Sequence, residues 1–180
     1  MLRKTKAETV NQVLPIFLKK YPSFKSLQKA HIKSLEKTIR PLGLYRVRAR
    51  AFKDISRIVV EQHHSKLPKN YDEIYSLPHV GRYITNAYLC QCRGERRPIV
   101  DNNIVRLYGR IFGVKKPIEV HKDEKLWRFA EEVLPLKNCD KFNLALLDLS
   151  AITCLPQKPK CHECPVSKIC GHSCSSEYRN

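Results

Sequence analysis

Four cysteines toward the C-terminal end are spaced Cys154-x6-Cys161-x2-Cys164-x5-Cys170. Four thiolates on one short stretch can hold either a zinc ion or an iron–sulfur cluster. The close Cys161/Cys164 pair lets one loop supply two ligands, and the outer two can close around the same centre. The chain carries eight cysteines in all. Its first residues, MLRKTKAETV, show no secretory leader. Metal or redox chemistry is therefore favoured over disulfides. Cys90, Cys92, Cys139 and Cys174 fall outside the pattern and read as buried small hydrophobes or free thiols.

A second group of residues could bind an anion. Leu77-Pro78-His79-Val80-Gly81 is followed at once by Arg82-Tyr83-Ile84-Thr85. A tight turn entering a helix presents backbone N–H groups without intrahelical acceptors, and with the helix dipole these can hold a phosphate. Gly81 would allow a close backbone approach. Taken alone, the pentapeptide reads equally as an ordinary connection between helices. A third feature is Asp101, in PIVDNNIVRLYGR. It follows an apolar pair and opens a helix, the position of an N-cap worth about 1 kcal/mol.

The elements that must position these residues are helical. Residues 6–21 place Val10, Val13, Leu14, Phe17, Leu18 and Tyr21 at helical spacing, with Pro15 expected to kink or split the run. Residues 24–39 repeat the pattern, ending at Pro41–Gly43, and residues 45–63 place Val47, Ala51, Ile55, Ile58 and Val59 on one face. A short segment covers Asp72–Leu77, and further helices are predicted at 82–92, 102–112, 121–134 and 140–153. Strand signals are nearly absent, with Ile99–Val100 at most a short extended piece. The expected class is all-α, divided into a helical part at 1–110 carrying the turn and a C-terminal lobe at 111–180 carrying the cysteine loop at 154–170.

With 34 Lys+Arg against 17 Asp+Glu, the formal net charge is +17, and the basic residues run along the whole chain. That favours a polyanionic partner, nucleic acid above all, with salt-sensitive binding. No apolar stretch reaches the ~18–20 residues of a membrane span, so no membrane role is expected.

The order of these features is turn, about twenty residues, Val-Asp, helix, then the four-cysteine spacing. It resembles the helix-hairpin-helix DNA glycosylase superfamily, in its endonuclease III and MutY branch. Phe142-Asn143-Leu144, Asp148-Leu149-Ser150-Ala151, Lys158-Pro159-Lys160-Cys161 and Leu2-Arg3-Lys4-Thr5 look most like the archaeal mismatch-specific thymine-DNA glycosylases. The resemblance covers essentially the whole chain. It implies a two-lobed all-α fold and a structural [4Fe–4S] cluster on Cys154, Cys161, Cys164 and Cys170. It implies that Leu77 to Gly81, with Arg82 beside them, grip a DNA phosphate, and that Arg3 and Lys4 wedge into the gap left by a flipped nucleotide. Asp101 becomes the carboxylate that drives base departure. Tyr83 stands where bifunctional relatives carry a catalytic lysine, which implies hydrolysis without strong strand-nicking activity. His79 stands where relatives usually have glycine, and relatives begin well upstream of Met1.

The partner so implied is double-stranded DNA with a mismatched base, thymine or uracil opposite guanine, met by a monomer. A cytoplasmic, nucleoid-associated prokaryotic location is expected. Adenine opposite oxidised guanine is the alternative substrate, and a non-catalytic iron–sulfur DNA-binding module the alternative class.

Overall fold

Apolar residues at helical spacing, broken by caps and prolines, set the element order in the computed structural model, which describes Thr5 and residues 7–173. Nine α-helices are described: α1 Ala7–Lys20, α2 Phe24–Lys29, α3 Ile32–Ile39, α4 Tyr45–Gln62, α5 Tyr71–Tyr75, α6 Arg82–Arg93, α7 Asn102–Phe112, α8 Glu124–Val133 and α9 Cys139–Asp148. No strand occurs among the described residues. Contacts divide the chain into two compact units, Met1–Val80 and Gly81–Asn180. In the second unit Val100, Ile104, Val105 and Tyr108 share one core with Leu126, Trp127 and Ala130.

In the first unit Val10, Val13 and Phe17 of α1, with Tyr21 just beyond it, pack with Leu35, Ile39, Leu42 and Ala49. Pro15 does not split α1. Pro15 and Asn11 are both exposed, on a side of α1 where water can take the bond that proline leaves unmade. The run expected over 24–39 is two helices. Ser23 and Ser26 form a reciprocal capping box at the start of α2, and Lys53 donates to the Gln28 and Ala30 carbonyls at its end. A lysine supplied from α4 thus satisfies carbonyls that would otherwise continue the helix. The inward face of α4 is Ala49, Ser56 and Val59 with Phe52 beside them, whereas Val47 is 60% exposed.

In the second unit α9 runs into a single π turn, Leu149–Thr153, where the Cys154 N–H donates to the Leu149 carbonyl at 2.7 Å. The segment before α7 is extended but pairs with no strand. Its backbone is held by two buried asparagines. Asn86 Nδ2 donates to the Pro98 carbonyl at 2.8 Å, Asn143 Nδ2 donates to the Arg97 carbonyl at 2.9 Å, and Asn143 Oδ1 accepts from the Ile99 N–H at 3.0 Å. Side-chain amides take the place of ladder bonds, which is how buried backbone groups are satisfied without a sheet.

Candidate functional site

Leu77 anchors the turn by burial, at 5% exposure. The Val80 N–H donates back to the Leu77 carbonyl at 3.2 Å. This puts Pro78 second and His79 third, and His79 has φ +64°. A turn of that kind prefers proline second and glycine third. A residue with a Cβ costs on the order of 1–2 kcal/mol in the left-handed region. The imidazole is not idle. His79 Nε2 lies 3.0 Å from Asp54 Oδ2 on α4, and both side chains are half-exposed.

Gly81 then caps α6 with no side chain of its own. The first intrahelical bond runs from the Thr85 N–H to the Gly81 carbonyl, so the first-turn amides of Arg82, Tyr83 and Ile84 have no acceptor within the helix. That leaves α6 with an open, positively polarised N-terminus. Arg82 itself is turned onto α8. It pairs with Glu124 at 2.5 Å and lies over the Trp127 ring at 4.4 Å.

The start of α7 is closed instead. Asp101 Oδ1 accepts from the N–H groups of Asn103 and Ile104 at 2.8 and 2.9 Å. Its Oδ2 accepts from Asn103 Nδ2 at 2.9 Å. Burial, and then the Asp101 carboxylate nearby, push the Tyr83 phenol above its ordinary value. The two predicted residues, eighteen apart in sequence, are therefore brought together, and the phenol stays neutral at physiological pH. Arg3 and Lys4 lie outside the described residues.

The four predicted cysteines also converge. Cys154, Cys161, Cys164 and Cys170 line one small cavity with Leu107, Arg110 and Val166. Burial and then the neighbouring Cys170, Cys164 and Cys154 push the Cys161 thiol up, a mutual repulsion of thiolates that a bound cationic centre relieves. No three His, Cys, Asp or Glu side chains among the described residues are grouped as ligands of one metal ion. The loop is strapped to α7. Arg110 Nη1 donates to Cys154 Sγ at 3.3 Å and to the Leu155 carbonyl at 2.6 Å, and its Nη2 donates to the Pro156 carbonyl at 3.0 Å. The Gly171 and His172 N–H groups donate to the last carbonyls of α7. Arg106 joins both features, donating to Asn103 Oδ1 at 2.9 Å and to the Cys154 carbonyl at 3.0 and 3.1 Å.

Of the remaining cysteines, Cys90 and Cys139 are buried with their sulfurs 3.7 Å apart, and Cys92 is exposed. Cys174 lies outside the described residues. In the cysteine loop Lys160 pairs with Glu163 at 3.7 Å, while Lys158 is exposed. Sequence reasoning missed Asn103 and Arg106 as members of the site. The signal that could have found them is their place in the first turns of the helix that Asp101 opens.

Comparison with known proteins places these features. Residues 1–132 match the model of the HhH-GPD superfamily base excision DNA repair protein, and residues 154–170 match the iron-sulfur binding domain of endonuclease III. The chain is 36% identical to a thymine/uracil-DNA glycosylase of Methanothermobacter thermautotrophicus over 172 residues, which are 96% of this chain and 78% of that relative. It is 34% identical to a thymine-DNA glycosylase of Aeropyrum pernix, over 94% of this chain and 78% of the relative. It is also 29% identical to the human adenine DNA glycosylase, over 94% of this chain and only 31% of the relative. The structure of a thermostable thymine-DNA glycosylase superposes with a TM-score of 0.89 at 36% identity, covering 96% of this chain and 79% of the other. A trapped endonuclease III–DNA covalent intermediate shares the fold, with a TM-score of 0.86 at 22% identity.

Proposed function

Because the chain belongs to the HhH-GPD superfamily of base excision DNA repair proteins, we propose that it is a monofunctional DNA glycosylase that removes thymine or uracil opposite guanine. One observation carries the reading. The carboxylate of Asp101 opens α7 beside a neutral tyrosine, the arrangement expected where water, not an amine, completes the reaction.

The target nucleotide is flipped from the stack, at a cost of a few kcal/mol that is lower at a mismatch. The C1′–N bond then breaks, with its electron pair leaving on the base. Asp101 stabilises the oxocarbenium-like sugar. Water adds to C1′ and gives its proton to the carboxylate, which releases it through solvent to the departed base anion, leaving a neutral free base and an abasic site. The Tyr83 phenol has no amine to form a Schiff base, so the strand is not nicked.

The open first turn of α6, with the Leu77–Val80 turn before it, is the proposed phosphate grip. Arg3 and Lys4 are the proposed wedge. The proposed cofactor is a [4Fe–4S] cluster held by Cys154, Cys161, Cys164 and Cys170. The shared cavity supports it. The cluster supplies a structural tie, and Arg110 and Arg106 hold its loop to the helix that Asp101 opens.

A second reading, removal of adenine opposite oxidised guanine, is favoured by the adenine glycosylase relatives alone, of whose length the chain spans about half or less. Labelled duplexes carrying T·G, U·G or A opposite oxidised guanine separate the two. Breaks on T·G or U·G that form only after alkali establish the first reading. Breaks confined to the adenine duplex establish the second.

A further inference from the structure

We propose that Asp54 is a positioning residue for the phosphate grip, fixing His79 in the left-handed conformation that shapes the Leu77–Val80 turn. The inference rests on the reading of that turn and the α6 N-terminus as the grip. Three observations carry it. His79 has φ +64°, where a side chain is strained and glycine is not. Its Nε2 meets Asp54 Oδ2 at 3.0 Å, and His79 is the ion-pair partner of Asp54 among the described residues. Asp54 projects from the eighteen-residue α4, a rigid element, while the residue it holds lies in the Leu77–Val80 turn. The bond is made with His79 in its left-handed conformation, so it offsets the strain there and biases the turn toward that conformation.

Charge alone predicts the reverse of what positioning predicts. A carboxylate beside a surface that binds a polyanion weakens binding, so deleting it should tighten the complex. If Asp54 instead shapes the turn, deleting it loosens the complex. The sign of one measurement therefore decides between the two.

The test uses the full chain and a fluorescent duplex carrying T opposite G. It reads the dissociation constant, and separately the half-saturating DNA concentration and the saturated rate of base release. Asp54→Ala is expected to weaken binding about threefold, the scale of one half-exposed hydrogen bond, with the loss in half-saturation and not in the saturated rate. Asp54→Asn keeps an acceptor for the imidazole N–H and is expected to restore most of the affinity. Glycine reaches φ +64° without strain, so in a His79→Gly background Asp54→Ala is expected to weaken nothing. Tighter or unchanged binding by Asp54→Ala overturns the proposal, as does an equal loss in the His79→Gly background.

Gly81→Asp separates this proposal from the reading beneath it. A Cβ at Gly81 meets nothing within 4 Å, and an aspartate there caps the Tyr83 and Ile84 amides with its own charge. It should fold well and lose at least about tenfold in affinity. If Gly81→Asp binds as the wild type does, the grip is misassigned and the role of Asp54 falls with it. If Gly81→Asp weakens binding while Asp54→Ala does not, the role of Asp54 alone is overturned.

Discussion

Asn103 closes a ring on Asp101, its backbone N–H donating to Oδ1 at 2.8 Å and its side-chain amide to Oδ2 at 2.9 Å. Both carboxylate oxygens are thus fixed in direction by one residue two positions downstream. The carboxylate is simultaneously a helix cap and the proposed centre of catalysis, and substitutions separate these roles. Asp101→Asn keeps an acceptor for the Asn103 and Ile104 amides. It is expected to fold normally and still bind a mismatched duplex, while single-turnover base release falls about a thousandfold or more. Asp101→Ala should show the same loss of rate and also lose about 1 kcal/mol of stability with the cap. Thermal melts and single-turnover assays on both variants read the two effects apart.

Tyr83→Lys should convert the product. A lysine here can attack C1′, form a Schiff base and eliminate the 3′ phosphate. Strand breaks would then appear without alkali, and borohydride would trap a protein–DNA adduct. Tyr83→Phe should leave the products as they are, because the phenol is held neutral by burial and by Asp101 and takes no part in nicking. Nicking by the wild-type chain at the level of Tyr83→Lys would remove the hydrolytic reading.

Stability at high pH carries a distinct signature. Burial pushes the Tyr108 phenol up from 10.0 to about 12. Below pH 10 the folded and unfolded states both hold this proton and nothing changes. Between pH 10 and about 12 the folded chain keeps a proton that the unfolded chain has lost, so stability falls as pH rises. The loss should reach about 2–3 kcal/mol. Tyr108→Phe should flatten that part of the curve in denaturant titrations run at successive pH values.

Arg110 donates to a cluster-site sulfur and to two carbonyls of the loop. Purified chain should be yellow-brown, with about four irons bound. Cys161→Ser or Cys164→Ser should abolish the visible band. Arg110→Ala should assemble the centre but lose iron to a chelator several-fold faster, since hydrogen bonds and exposure at the sulfurs govern the stability of such sites. A colourless protein holding one zinc would point to a different centre.

Much of this was legible in the chain. Helix positions came from spacing, and α6 and α7 lie within a residue of expectation, because strong 3.6-residue periodicity is set locally. The cysteine loop was legible because ligand spacing is itself a geometric constraint. What stayed hidden depended on partners far away in sequence. Nothing near Gln28 announces that Lys53 ends α2. The burial of Ser56 rather than Val47 reflects which side of α4 meets Phe17 and its neighbours. Asn86 and Asn143 gave no sign that they would hold residues 97–99, since side-chain to backbone bonds across 12 and across 44 or 46 residues leave no local period. Pro15, expected to kink or split its run, leaves α1 continuous, because its cost depends on whether water can reach the backbone there.

The burial of Cys90 and Cys139, with the gathering of four other sulfurs at one cavity, leaves Cys92 as the exposed thiol among the described residues. It lies near the C-terminal end of α6, about 15 Å along the axis from the amides at the other end. The native chain therefore carries its own attachment point for a maleimide dye, on the helix whose opposite end is the proposed phosphate grip. A fluorophore there would ride on the same rigid rod as the grip without covering it, and could follow DNA capture and release in real time, one molecule at a time.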